Sequence, residues 1–204
     1  MKKLFTLCLL SIGLLSKAQT TGYQVGDVAS DFNLKNIDGK NVSLASMKDA
    51  KGYIVVFTCN TCPYAVAYED RIIALNKKYA SKGYPVVAIN PNDPGAQPAD
   101  THDKMQAKAK SKGFNFPYLM DPNHVITRQF GASRTPHAFI LQKTVKGNVV
   151  QYIGAIDSDT EGTNPDKIKY VENAIEAISI GKTPVVTSTK AIGCTIKWKK
   201  ESSL

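Results

Sequence analysis

Cys59-Asn60-Thr61-Cys62 is the segment best suited to chemistry in this chain. The thiolate is the form of cysteine that attacks disulfides. A second thiol three residues on can reach back and resolve the mixed disulfide that results. The spacing therefore allows an attack-and-release cycle, with Cys59 as nucleophile and Cys62 as resolving thiol. Two other chemistries use the same residues: a static disulfide, and half of a metal site. A zinc site needs two further ligands, and no second CxxC or HxxxH exists. Soft thiolates also select Cu(I), for which His137 would join Cys59 and Cys62. Copper motifs tend to be longer or rich in methionine, and beyond residue 18 only Met47, Met105 and Met120 remain. The dithiol reading needs no cofactor and no metal.

Other residues are candidates for auxiliary roles. Cys194 is either a second resolving cysteine, an intermolecular partner or a buried small side chain. Glu69 lies seven residues after Cys62, on the same helical face, where it could move protons or form an ion pair. Arg134 beside Thr135 could stabilise a thiolate or a peroxide oxygen, or lie on the surface.

The elements that must position these groups are legible in outline. Tyr53 to Thr58 is a continuous apolar run rich in β-branched residues, the pattern of a strand buried on both faces. Pro63 fits the first turn of a following helix. Ala65, Tyr68, Ile72, Leu75 and Tyr79 make its apolar stripe, and Gly83 ends it. The CxxC thus falls between a buried strand and a helix start, the setting of a redox pair. Near the positive end of the helix dipole, Cys59 is expected to be more exposed and more acidic than a buried Cys62. Pro85–Asn90 reads as a second buried strand, parallel to the first. Asp31–Asn36 and Asn41–Leu44 flank the turn signal Asp38-Gly39 and predict an N-terminal hairpin. The spacing predicts helices over Ala99–Lys112, His124–Phe130 and Asp166–Ile178. It also predicts strands over Pro117–Met120, His137–Leu141 and Val149–Ile153. The class is α/β, a mixed central sheet flanked by helices on both faces.

With these residues in view, the chain resembles the thioredoxin superfamily. It is most similar to exported thiol-disulfide oxidoreductases of the TlpA/ResA type and to redoxins of the alkyl hydroperoxide reductase (AhpC/TSA) class. The matching stretches are Val25-Gly-Asp27 to Asp31-Phe32, Asp38-Gly-Lys40, Phe57-Thr-Cys-Asn-Thr-Cys-Pro-Tyr64 and Gly131-Ala-Ser-Arg-Thr-Pro136 with the hairpin after it. A tail like Ile192-Gly-Cys-Thr-Ile-Lys-Trp198 belongs to a peroxiredoxin-like subgroup. The resemblance implies a thioredoxin-like fold, Cys59 as nucleophile, Cys62 as resolving thiol and Pro136 as a cis-proline. Thr135 would present its backbone polar groups to the incoming disulfide. The peroxiredoxin pattern wants Pro seven and Thr three residues before its reactive cysteine. From Cys62 those positions are Val55 and Cys59, and from Cys59 they are Gly52 and Val56. Peroxide reduction is therefore the alternative activity.

Composition bounds the partners. The chain has 204 residues, 4 cysteines and a formal charge of +9, too few cysteines for a disulfide scaffold. Residues 1–18 read as a secretory signal: Lys2 and Lys3, an apolar run to Leu15, and Ser16-Lys17-Ala18 before a cut at Gln19. That predicts a periplasmic or extracellular enzyme with no stable membrane insertion after cleavage. Residues 19–181 read as one domain and 182–204 as a basic, solvated tail. The excess charge sits in the leader and the tail, so no nucleic-acid-binding face is expected. Protein thiols and disulfides, with an unidentified redox partner, are the expected partners.

Overall fold

The structure is a computed structural model that describes residues 22–200; the expected signal segment 1–18 lies outside the described residues. Its central sheet has eight strands: β1 (Val28–Ala29), β2 (Leu34–Asn36), β3 (Asn41–Val42), β4 (Gly52–Phe57), β5 (Val86–Asn90), β6 (Tyr118–Met120), β8 (His137–Thr144) and β9 (Gly147–Gly154). They are arranged in the order β1-β9-β8-β4-β5-β6-β2-β3. A separate pair joins β7 (Arg134–Thr135) to β10 (Cys194–Thr195). Among the described residues there are four α-helices: α1 (Pro63–Tyr79), α2 (His102–Lys112), α3 (Val125–Phe130) and α4 (Tyr170–Ser179).

β4 is the spine. It pairs parallel with β5 and antiparallel with β8, and all six of its residues are buried. Because side chains alternate across a strand, β4 feeds two cores. Ile54 and Val56 meet Tyr68, Ile72, Leu75 and Tyr79 of α1, Met105 of α2, and Val171, Ile175 and Ile178 of α4. Tyr53, Val55 and Phe57 meet Phe139 and, from α3, Ile126 and Phe130. Helices therefore cover both faces, as expected. The hairpin β2–β3 is antiparallel around Gly39, whose φ of +83° suits the turn.

Three expectations are corrected, and one strand has no counterpart among them: β1 pairs antiparallel with β9, and two residues are too short to show a periodicity. The first hairpin strand begins at Leu34, and the return strand stops at Val42, where Ser43 caps a short 3₁₀ turn. α4 begins at Tyr170, not Asp166. Ser158 accepts from Ile168 N–H, and Asn164 Oδ1 accepts from Asp166 N–H. Such local bonds compete with the helix, and Ile168 stays exposed. The tail is not simply solvated: β10 pairs with β7, and Ile196 is buried with the Phe57–Phe130 core. Among the described residues, no helix is long and apolar enough to cross a membrane.

Candidate active site

β4 delivers the cysteines to the edge of the core. Thr58 N–H still donates to Ile89 O (2.9 Å), which extends the ladder one residue past the strand. The chain then turns, and Cys62 becomes the N-cap of α1 with Pro63 in the first turn. Ala65, fully buried, packs with Cys59, Cys62 and Cys194 in one small cluster.

The Thr135–Pro136 peptide bond is cis, as the resemblance implies. Thr135 is the residue on which the site converges. Its Oγ1 lies 3.2 Å from Cys59 Sγ, and its carbonyl oxygen lies 3.3 Å from Cys62 Sγ. In the β7–β10 pair, Cys194 stands opposite Thr135. Pro136 lies 74 positions after Cys62 and Cys194 lies 132 positions after Cys62, yet all three cysteines gather here.

The covalent pairing differs from the CxxC expectation. Cys62 is bonded to Cys194, with Cα atoms 6.0 Å apart, and Cys59 is a free, buried thiol. The spacing within Cys59–Cys62 makes that pair possible, but nothing local makes it exclusive. β10 brings a third sulfur alongside Thr135 and so into reach of Cys62.

Cys59 is also not the exposed, acidic thiol expected beside a buried Cys62. It is 5% exposed against 6% for Cys62. Burial pushes the Cys59 thiol up, with the Thr135 hydroxyl opposing and the Asp100 carboxylate adding to the rise. The backbone N–H groups of Cys62 and Thr61 also favour the thiolate, but less strongly. The helix starts at Pro63, so Cys59 stands outside the first turn, where the dipole acts.

Beneath Cys59 lies a polar network that the sequence reading missed. Asp100, wholly buried, accepts from Asn60 N–H (2.8 Å), Asn90 Nδ2 (3.0 Å) and Asn92 Nδ2 (2.7 Å). Tyr118 donates to Asn60 Oδ1 (2.9 Å), and Asn60 Nδ2 donates to Ala99 O (2.7 Å). Asp100 thus locks the backbone immediately after Cys59. Asn90 and Asn92 ahead of Asp100 were the available signal, but they read equally as loop composition.

The auxiliary candidates separate. Arg134 Nη1 donates to Gly193 O (3.2 Å), so its guanidinium holds the tail. Glu69 is buried and directed toward α2, where Lys108 (2.5 Å) and Lys112 (3.1 Å) pair with it. That is the ion-pair alternative. His137 packs its ring on Phe139, with centroids 4.6 Å apart, and burial pushes its imidazole down to about 4. Among the described residues, no three His, Cys, Asp or Glu side chains are grouped to hold a metal ion.

Residues 25–152 match the sequence pattern of the AhpC/TSA family. The chain belongs to that family. It is similar to a candidate peroxiredoxin of Mycobacterium tuberculosis, 27% identical over 145 residues, spanning 69% of this chain and 83% of that protein. It is also similar to the thiol-disulfide oxidoreductase ResA of Bacillus thuringiensis, 26% identical over 133 residues, spanning 64% of this chain and 69% of that protein. Among solved structures, a hypothetical protein of Sinorhizobium meliloti superposes with a TM-score of 0.80 at 32% identity, covering 89% of this chain and 100% of that one. The fold is thioredoxin-like, and the protein is a thiol-based oxidoreductase of the redoxin class. The family match ends at residue 152, so it does not include the strand that carries Cys194.

Proposed function

We propose that this is an exported thiol-disulfide oxidoreductase in which Cys59 and Cys62 start the exchange and Cys194 finishes it. The observation that carries the reading is the convergence of three sulfurs on Thr135, with one pair bonded and Cys59 left as a thiol. Each step is a thiolate attack on a disulfide sulfur. The Cys59 thiolate attacks a substrate disulfide, forms a mixed disulfide and expels one substrate thiol. Cys62 attacks Cys59 sulfur, giving Cys59–Cys62 and expelling the second substrate thiol. Cys194 then attacks Cys62 sulfur, which forms Cys62–Cys194 and returns Cys59 as a thiol. Two electrons have passed to the substrate, and the oxidised pair no longer includes the nucleophile. Thr135 Oγ1 and the N–H groups of Thr61 and Cys62 supply the hydrogen bonds that hold the Cys59 thiolate during the first step. Export is supported by the leader-like residues 1–18, and a disulfide-permissive compartment suits the exchange.

The test is the fate of trapped intermediates. Cys62→Ser should leave substrate bound to Cys59, and Cys194→Ser should accumulate a Cys59–Cys62 disulfide after one turnover, both read by peptide mass mapping. If Cys62→Ser yields no adduct on Cys59, the assignment of the nucleophile is wrong. Peroxide reduction is a second reading, favoured by the peroxiredoxin relative and by a thiol hydrogen-bonded to Thr135. Stopped-flow oxidation of Cys59 by hydrogen peroxide separates the two, with a slow reaction counting against the peroxidase.

A further inference from the structure

The tail lies along β7 as an added strand, and most of its anchors are backbone atoms. Arg134 Nη1 donates to Gly193 O, Cys194 and Thr195 pair with Thr135 and Arg134, and Lys197 N–H donates to Asn92 Oδ1 (2.8 Å). Asp93 N–H donates to Lys197 O (2.8 Å), and Lys199 N–H donates to His124 Nε2 (2.9 Å). Strand addition of this kind takes extended peptide from any source, and a few side-chain positions supply the selectivity. Two such positions stand out. A Cβ on residue 193 would lie 2.1 Å from Thr135 O, 2.6 Å from Thr135 C and 3.0 Å from Pro136 N. Those are backbone atoms that cannot swing aside, so only glycine fits. Two residues after Cys194, Ile196 is buried in the Phe57–Phe130 core, a place for a branched apolar side chain.

We propose that this groove is a peptide-binding site in which residues 193–198 are the resident occupant. Its external partner is an extended polypeptide dithiol with glycine immediately before its reactive cysteine and a branched apolar residue two positions after. This rests on the thiol-disulfide reading and names the reductant that completes the cycle. The partner's thiolate attacks Cys62 sulfur in line with the Cys62–Cys194 bond, that bond breaks, Cys194 leaves as a thiol, and the partner's strand takes the place along β7 that the tail vacates. The partner's second thiol then attacks its own mixed-disulfide sulfur and releases Cys62. The partner leaves oxidised by two electrons, and the protein is left with three thiols.

Trp198 is the sole tryptophan of the sequence and packs on His124, with centroids 4.8 Å apart, so its fluorescence reports departure of the tail. The experiment mixes the oxidised full-length protein with the peptide Gly-Cys-Thr-Ile-Lys-Phe, or with the same peptide carrying Ala in place of Gly or Ser in place of Ile. At equilibrium, tail release by fluorescence and the Cys62–peptide adduct by mass should both need about tenfold less peptide with glycine than with alanine, and several-fold more when Ile becomes Ser. Within the chain, Gly193→Ala should lower the equilibrium fraction of Cys62–Cys194 in a glutathione buffer by a comparable factor. Equal adduct from the Gly and Ala peptides at the same concentration, or a Gly193→Ala protein that closes the bond as readily as the natural chain, overturns the proposal. So does an absence of adduct with all three peptides. Turnover of hydroxyethyl disulfide, too small to need the groove, reports the underlying reading separately: its loss on Cys59→Ser keeps that reading standing when the groove proposal falls.

Discussion

The strand-helix junction at residues 52–79 and the tail at residues 193–199 both bring cysteines to Thr135, but they are held by different forces. The junction is built into both cores: β4 has a neighbour on each side and buries every residue, and α1 buries a full stripe. The tail has a two-residue strand, one fully sequestered apolar side chain and a handful of backbone hydrogen bonds. Moving Cys59 or Cys62 far means opening the core, which costs most of the domain's stability. Moving Cys194 costs only the contacts of the tail. A relay needs this asymmetry, with two sulfurs on rigid elements and a third on a segment that can leave.

The largest effect that could break the comparison is on turnover. Cys59→Ser should reduce disulfide exchange by at least about a thousandfold, as loss of a nucleophile does. Cys194→Ser should leave the first turnover within about threefold and block only the return of Cys59. Equal losses in the two variants, measured by single- and multiple-turnover assays, would place the tail in the chemical step and erase the distinction.

The next effect concerns stability. Ile54→Ala in β4 should cost about 2–5 kcal/mol in urea unfolding followed by circular dichroism. Ile196→Ala in the reduced protein should leave that transition within about 1 kcal/mol, because the tail can detach instead of straining the core. Trp198 fluorescence should then shift at a lower urea concentration than the circular dichroism signal. Coincident transitions would show that tail and domain unfold as one unit.

Acid should act on both regions with the same sign and different readouts. A folded-state pKa held below the unfolded value gives stability that is present above the unfolded value and lost as pH falls through the folded one. For His137 the window runs from about 6.5 down to about 4. Its protonation should cost the domain about 3 kcal/mol across that window, and His137→Leu should flatten this part of the pH profile. Burial also pushes His124 down, with Asp121 opposing; Asp93 opposes as well, and Arg128 adds to the lowering. Its Nε2 must stay unprotonated to accept from Lys199 N–H. Below the ordinary imidazole range the tail should therefore loosen, read by Trp198 fluorescence, and His124→Gln should remove the pH dependence.

The smallest effect sharpens the picture of the nucleophile. Asp100→Asn removes a negative charge that helps to push the Cys59 thiol up. Alkylation of Cys59 by iodoacetamide at pH 7.5 should become a few-fold faster, and its pH profile should move toward lower pH. An unchanged profile would mean that burial alone sets Cys59 reactivity.

Much of the scaffold was legible because it depends on short-range pattern. The β-branched runs at 53–58 and 85–90 could only be buried strands, and Pro63 marked the start of α1 within a residue. The hairpin turn at Gly39 followed from a glycine where φ is positive. Errors fell where local and distant hydrogen bonding compete. Residues 164–168 carry helix-compatible side chains but are drawn into turns by Ser158 and Asn164. β1 exists only because β9 offers it an edge, through bonds such as Gly26 N–H to Val150 O. A two-residue element owes its existence to its neighbour, so its own sequence carries almost no signal of it.

Local pattern was enough to put two cysteines where a buried strand turns into a helix, because burial pattern and cysteine spacing are local properties. The sequence also marked Thr135-Pro136 and Cys194 as residues to watch. Only the tertiary structure decided which sulfur Cys62 takes as its partner, and that Cys59 is buried above Asp100 instead of exposed at a helix start. A disulfide forms between the sulfurs that the fold brings together. Here the approach of β10 to β7 joins positions separated by 132 residues, a distance over which no residue pattern encodes contact.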